Sequence, residues 1–256
     1  MPATPRLAAE QRLARTRKKH QQALVSMKVS LPRAMSHTLS SSSPADVSSS
    51  DVVRRTAFRL FGQFGYDGVS MTHLARECGL TKPGLYWHYT SKSALYADCM
   101  QDLVGLFEAH VFAAALAETR PAHQILAAFT GLASLVRDPR VAHGVAGYWL
   151  RPASARVDEA IRVQTEFEAT AREATTHILR AGEDDGTLAL PMPAAQVAEA
   201  FITQVEAIVL PLGTRQPADH QALVHLIAHM FFTSYARDPS LVETLSAQRP
   251  FSHAAS

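Results

Sequence analysis

Cysteine is nearly missing from this chain: 256 residues hold only Cys78 and Cys99. Two thiols cannot build a disulfide framework, so the expected setting is a reducing cytoplasm. No uninterrupted apolar run reaches the roughly 18 residues of a membrane span, and no membrane partner is expected. An apolar segment of signal-peptide type is also missing near the start, so a secretory signal is not expected. Charged residues are sparse at 19%, against 47% hydrophobic ones, which excludes a wholly disordered chain. Phosphate-loop glycine patterns, G-x-S-x-G and C-x-x-C do not occur, so nothing asks for an enzyme or a cofactor.

The charge that is present lies unevenly. Residues 1–50 carry Arg6, Arg12, Arg15, Arg17, Lys18, Lys19, Lys28 and Arg33 against Glu10 and Asp46, a net +6. Residues 51–92 add +3, and the remainder carries −7. A basic front and an acidic rear point to a polyanion at the front, with a solvated basic tail as the alternative. The run "SSSSPADVSSS" at 40–50 reads as a flexible linker, which makes 1–50 an arm rather than a domain. An organelle transit peptide and a start codon placed upstream of Met27 or Met35 stay open for the same residues.

From Asp51 the pattern is helical. Val53, Ala57, Leu60, Phe61 and Phe64 recur on one helical face, with Arg54, Arg55 and Arg59 off it, until Gly65. Ser70 is placed to cap a short second helix and Gly79 to end it in a left-handed turn. Thr81 caps a third helix that tolerates Pro83 in its first turn, and Ser91 caps a longer fourth. Further helices are expected over 122–137, 141–150, 154–181, 194–210 and 219–236, separated by proline and glycine. The resulting domains are a helical head at 51–96, a helical body at 97–240 and a tail at 241–256. No segment alternates with the period of a strand.

Two short helices joined by a glycine-containing turn make a helix-turn-helix, whose second helix enters the DNA major groove. The stretch "GLTKPGLYWHYTSKSALY" supplies that second helix. Tyr86, Trp87 and His88 are consecutive, so they cannot all face one core; surface contact explains them better than an aromatic core stripe. Phenol, indole and imidazole groups donate to phosphate oxygens. Gly84 allows close backbone approach, and Pro83 can touch a thymine methyl. Lys92 sits at a helix N-terminus, where a cation opposes the dipole, and a phosphate partner explains it better than solvent does.

On the pieces "AFRLFGQFGYDGVSMTHLARECGL", "LYWHYTSK" and "AL", residues 51–96 resemble the DNA-binding region of TetR-family transcriptional regulators. The resemblance implies an all-α protein with an N-terminal three-helix helix-turn-helix domain and a C-terminal helical ligand-sensing and dimerisation domain. Double-stranded operator DNA, a second copy of the chain and a small, largely apolar effector are the partners it implies. It places Thr81, Lys82, Pro83 and Gly84 at bases or adjacent phosphates, Tyr86, Trp87 and His88 on the backbone, Lys92 on a phosphate and Ser70 at the helix cap. Thr72 stands where the family often has a base-reading arginine or lysine, and threonine cannot make that bidentate contact. Lys82 differs from an amide found at its position in the family. The operator is therefore not inherited from a relative.

For the body, the expected effector cavity is lined by Phe107, Phe129, His143, Tyr148, Trp149, Phe167 and His177, whose alternative role is plain core. Two apolar stripes are expected to pair across a dimer axis: Val197, Phe201, Val205 and Ile208, and Leu223, Leu226, Ile227, Met230 and Phe231. Burial inside one subunit is the competing reading. His225 and His229 have the spacing of paired zinc ligands, but no third ligand is evident and no metal is expected. A ligand-released repressor follows; an activator, a ligand-independent regulator and a helix-turn-helix that binds protein instead of DNA remain as alternatives.

Overall fold

The computed structural model describes residues 49–150, 152, 157–214 and 216–247. The expected basic arm at 1–50 falls outside this range except for Ser49 and Ser50, which begin the first helix. The head is α1 (Ser49–Phe64), α2 (Met71–Glu77) and α3 (Lys82–His88). Local chemistry sets its corners. Ser70 Oγ accepts the His73 N–H at 3.0 Å and Thr81 Oγ1 accepts the Gly84 N–H at 3.2 Å. Gly79 has φ +68, and Leu80 N–H bonds the Ala75 carbonyl at 2.8 Å, so the chain turns sharply between α2 and α3. Val53, Ala57, Leu60 and Phe61 of α1 are buried with Leu74 of α2 and Leu85 of α3. Phe64, expected on that face, is 51% exposed, because α1 ends there and the ring leans on His73 instead.

The body begins with α4 (Lys92–Phe107), capped by Ser91, whose Oγ accepts the Ala94 N–H at 3.0 Å. Its path continues through a π-helical turn, Glu108–Phe112, into α5 (Ala113–Ala117). The widened turn lies where α6 (Pro121–Leu135) crosses closely: a Cβ on Gly131 would stand 2.1 Å from the His110 carbonyl oxygen. By length and composition the stretch Lys92–Ala117 could cross a membrane, with a mean hydropathy of 1.3. Isolated charges such as Asp98 and Asp102 interrupt its apolar run without lowering the mean much. Leu95, Cys99, Leu103 and Leu106 are spent on the protein's own core.

After α6 the chain is not helical over 141–150 as expected. It forms turns and one short 3-10 segment, Ala146–Tyr148, because Gly144 takes φ +94 and Gly147 presses against α1. Then come α7 (Asp158–Asp184), α8 (Ala194–Val209), α9 (Pro217–Tyr235) and α10 (Pro239–Ala247). The last replaces part of the expected tail, since Leu241 and Leu245 insert into the core. Asp185, not Gly182, ends α7, so Glu183 and Asp184 belong to the helix rather than to a loop. Among the described residues the only β pairing is a single bridge, Leu188 to Ala236.

Head and body are tied together along α1. Arg54 makes a bidentate ion pair with Asp102 of α4. Tyr148 donates its hydroxyl to the Phe58 carbonyl at 3.0 Å. Gly147 lies so close that a Cβ there would meet the Phe61 carbonyl oxygen at 2.1 Å. Stacked and edge-on rings continue the seam: Phe58 with Tyr148, Tyr148 with Tyr96, and Tyr96 with both Phe61 and Tyr66.

Candidate nucleic-acid interface and buried cavity

On α3 one side chain anchors the helix and the rest face outward. Leu85 is fully buried, and Tyr89 is half-buried with its hydroxyl pushed upward by that burial. Thr81, Lys82, Pro83, Tyr86, Trp87 and His88 are exposed, Trp87 at 90%. An indole left almost wholly in water, one residue from a buried leucine, has no packing role within the fold. Gly84 is part-buried beside the Thr81 hydroxyl, leaving the first turn of α3 without bulk. Ser70 and Thr72 at the start of α2 are exposed on the approach to this face.

Lys92 closes the far edge. Its Nζ lies over the Tyr66 ring at 4.0 Å, and burial pulls its ammonium down from the usual lysine value while Asp67 pushes it back up. The ring face attracts the cation and holds the side chain against the head. Together Ser70, Thr72, the α3 side chains and Lys92 bring donors, cations and rings to one end of the head. Arg59 is drawn toward α2 by Glu77, 3.4 Å away.

The body encloses a cavity of about 90 Å³ between α4, the π turn, the Tyr148–Trp149 segment, α7 and α8. Six aromatic rings line it: Phe107, Phe112, Tyr148, Trp149, Phe167 and Phe201. Of the residues expected there, Phe107, Tyr148, Trp149 and Phe167 are in the wall, and three are not. Phe129 packs edge-on to Phe201, Phe231 and Phe232 in the α6–α8–α9 core. His143 is exposed, since the segment carrying it is a turn rather than a helix. His177 lies on α7, whose cavity face runs through Gln164, Phe167, Glu168, Ala171 and Thr175; at 100° per residue His177 points almost oppositely. Trp149's indole nitrogen is buried and has no hydrogen-bond acceptor among the described residues.

Phe112, the last residue of the π turn, also stands in the wall. Sequence reasoning missed Gln164, Glu168 and Thr175, although polar residues spaced along an otherwise apolar α7 face were a readable sign. The proposed dimer stripes divide. Val197, Phe201, Ile208 and Phe231 are buried within their own subunit, and Val205 lines the cavity. The first three and Val205 lie on α8, which packs against α7, and Phe231 lies on α9 edge-on to Phe129 and Phe201, so these side chains are not free. Leu226 and Met230 remain 55% and 57% exposed on α9, with Leu223 and Ile227 half-buried beside them. His225 and His229 are half-buried on the same helix, and no group of three or more metal-ligating side chains forms among the described residues. Burial pushes both thiols up, that of Cys99 furthest, which favours the unreactive protonated form.

Residues 53–99 match the sequence profile of the bacterial regulatory proteins of the tetR family. A segment of 60 residues is 32% identical to the tetracycline repressor protein class C of Escherichia coli. That segment is 23% of this chain and spans only 27% of the relative's length. Solved structures share the fold at low identity. AibR in complex with isovaleryl coenzyme A and operator DNA superposes with a TM-score of 0.60 at 19% identity, over 73% of this chain and 100% of its own. The ketosteroid transcriptional regulator KstR2 of Mycobacterium tuberculosis gives 0.61 at 12% identity, over 75% and 97%. NalD, the secondary repressor of the MexAB-OprM multidrug efflux pump in Pseudomonas aeruginosa, gives 0.57 at 17%, over 74% and 96%.

Proposed function

We propose that this chain, which carries the N-terminal domain of the tetR family of bacterial regulatory proteins, is a cytoplasmic, ligand-released transcriptional repressor that binds a palindromic operator as a homodimer. The observation that carries the reading is the outward face of α3: a helix pinned by Leu85 that leaves Lys82, Tyr86, Trp87 and His88 in water. Such a helix fits the major groove, with Lys82 and Pro83 at base edges and the aromatic donors on phosphates. Lys92 grips a phosphate at the flank.

The second subunit docks on the exposed part of α9, centred on Leu226 and Met230. The facing side of α8 supports it, where Ala200, Thr203 and Ala207 are exposed and small. A two-fold axis there repeats the recognition helix and matches an operator of two half-sites.

The effector enters the aromatic cavity, in keeping with the ligand that AibR carries. Its wall includes Met100, Leu103 and Val104 of α4, so a ligand that wedges this wall moves the helix whose first residue is Lys92. Tyr148 spans both systems, lining the cavity and bonding α1. Turning a population from 99:1 bound to 1:99 requires about 5.5 kcal/mol of differential ligand affinity.

Sequencing of genomic fragments retained by the purified protein tests the reading, followed by titration of the enriched site at several salt concentrations. A shared palindrome with salt-dependent affinity is expected. Retention of no sequence above background would leave the helix-turn-helix as a protein-binding module.

A further inference from the structure

The aromatic cavity of about 90 Å³ has a neighbour of about 40 Å³, set between the π turn, α5, α6, α7 and α8. Val111, Phe112, Thr175 and Phe201 line both, so a single layer of side chains divides the two. The surface that each presents is almost wholly apolar. Polar groups at the second are committed elsewhere: Thr175 Oγ1 donates to the Ala171 carbonyl at 2.8 Å, and Gln124 Nε2 donates to the Glu118 carbonyl at 3.0 Å. The second is walled by fully buried side chains such as Gln124 and Ile125. Within the dividing layer Phe201 is braced by the rings of Phe129 and Phe231, and Thr175 is tied back to its own helix. Phe112 is part-buried at the last position of the π turn, edge-on to Phe167 at 6.0 Å, and is the ring best placed to swing.

Resting on the reading of the aromatic cavity as the effector site, we infer that the effector carries a slender, unbranched alkyl chain whose methyl end passes Phe112 into the second cavity. Phe112 then sets how broad that chain can be, and the second cavity sets how long. Side chains around an empty apolar space lack contact atoms on one side, and methylenes restore those contacts. A hydroxyl or charge at the far end of the chain would lose its water and find the nearby Thr175 and Gln124 groups already bonded. A branch or a ring at the passage has to displace Phe112 or the braced Phe201, and overpacking a close-packed interior is unfavourable.

The test titrates the full-length protein calorimetrically with straight-chain primary alcohols, from butanol to decanol. Affinity should rise about fourfold per methylene up to a limiting length. Ala128 lines the second cavity and not the first. In Ala128→Leu the limiting length should fall by one methylene or more, while shorter alcohols bind as before and so show that the variant is folded. Wild type should also prefer octanol to its branched isomer 2-ethylhexanol by at least about fivefold. Phe112→Ala, which opens the passage, should bring that preference below about twofold. An equal limiting length in wild type and Ala128→Leu overturns the inference and leaves the aromatic cavity as the effector site, as does a preference that Phe112→Ala leaves unchanged. Binding of no alcohol at all overturns both.

Discussion

Trp87 and Trp149 are the chain's two tryptophans, and they stand in opposite environments. Trp87 is 90% exposed on α3; Trp149 is half-buried in the cavity wall, with its indole nitrogen out of water and without a partner among the described residues. Each is poorly accommodated by the fold alone. The first has apolar surface without packing, and the second has a donor without an acceptor. The head leaves its chemistry outside, where a large polyanion can meet it. The body keeps its chemistry inside, where only a small molecule fits. Between them runs the aromatic seam of Phe58, Tyr148, Tyr96 and Tyr66, which ends under Lys92.

The largest effect is expected where that seam is tightest. A Cβ at Gly147 would meet backbone atoms of Phe61 and Gly65 at 2.1 and 2.6 Å, and neither can rotate away. Gly147→Ala should therefore destabilise the protein by on the order of 3 kcal/mol. Denaturant unfolding measures this. A variant with unchanged midpoint would mean that head and body are not packed as rigidly as the contrast assumes.

A second pair of substitutions sharpens the head alone. Lys82→Ala should cost about 1–3 kcal/mol on the true operator and relax preference at one base pair per half-site. Lys92→Ala should weaken all DNA alike and lower the slope of log affinity against log salt by about 1. Selection from randomised sites, followed by salt titration, separates the two. Identical selected sites and affinities for wild type and the Lys82 variant would remove Lys82 from base readout; an unchanged slope would do the same for Lys92 and phosphate.

The head was the more legible half for a physical reason. Ser70, Thr81 and Ser91 cap helices through bonds that span three residues, and Gly79 turns the chain through its own φ, so short stretches of sequence contain the cause. In the body an apolar residue satisfies a core, a cavity or an interface equally. Helical periodicity found the stripe of Phe201 and Val205 but could not say that it faces inward. The segment 141–150 was misread as helix because its turn depends on Gly144 packing against Leu212, a contact between distant segments. The π turn at Glu108–Phe112 had no local sign at all; it answers the approach of Gly131 from α6.

A smaller perturbation tests whether the two halves communicate through the seam. Tyr148→Phe keeps the ring stack and the cavity wall but removes the hydroxyl that bonds the Phe58 carbonyl. The expected loss of stability is about 1 kcal/mol. Affinity for DNA without ligand should change little, while the ligand concentration needed for release should rise. Release curves that superimpose would show that the signal travels through α4 and not through this bond.

The smallest effect should be confined to the body and should depend on pH. Arg140 bonds the Asp138 carboxylate at 2.6 Å, with further bonds from the Arg140 backbone and from His110 on the π turn at 3.1 Å. These hold its carboxyl at about 2, below the usual value of 3.8, with the Arg140 side chain the largest cause. An unfolded chain binds that proton more readily than the folded one. The stabilisation is thus fully present above about pH 4 and is lost as pH falls through about 2. Because Arg140 is 58% exposed, solvent screening keeps the contribution below about 1 kcal/mol. Asp138→Asn should lower the unfolding free energy near neutral pH by that small amount, and the gap to wild type should close between pH 4 and 2. A gap that persists at the acid end would trace the effect to the shape of the turn instead of its charge. The salt dependence of the proposed DNA binding should be untouched, because Asp138 and Arg140 follow α6 in the body and neither belongs to the head.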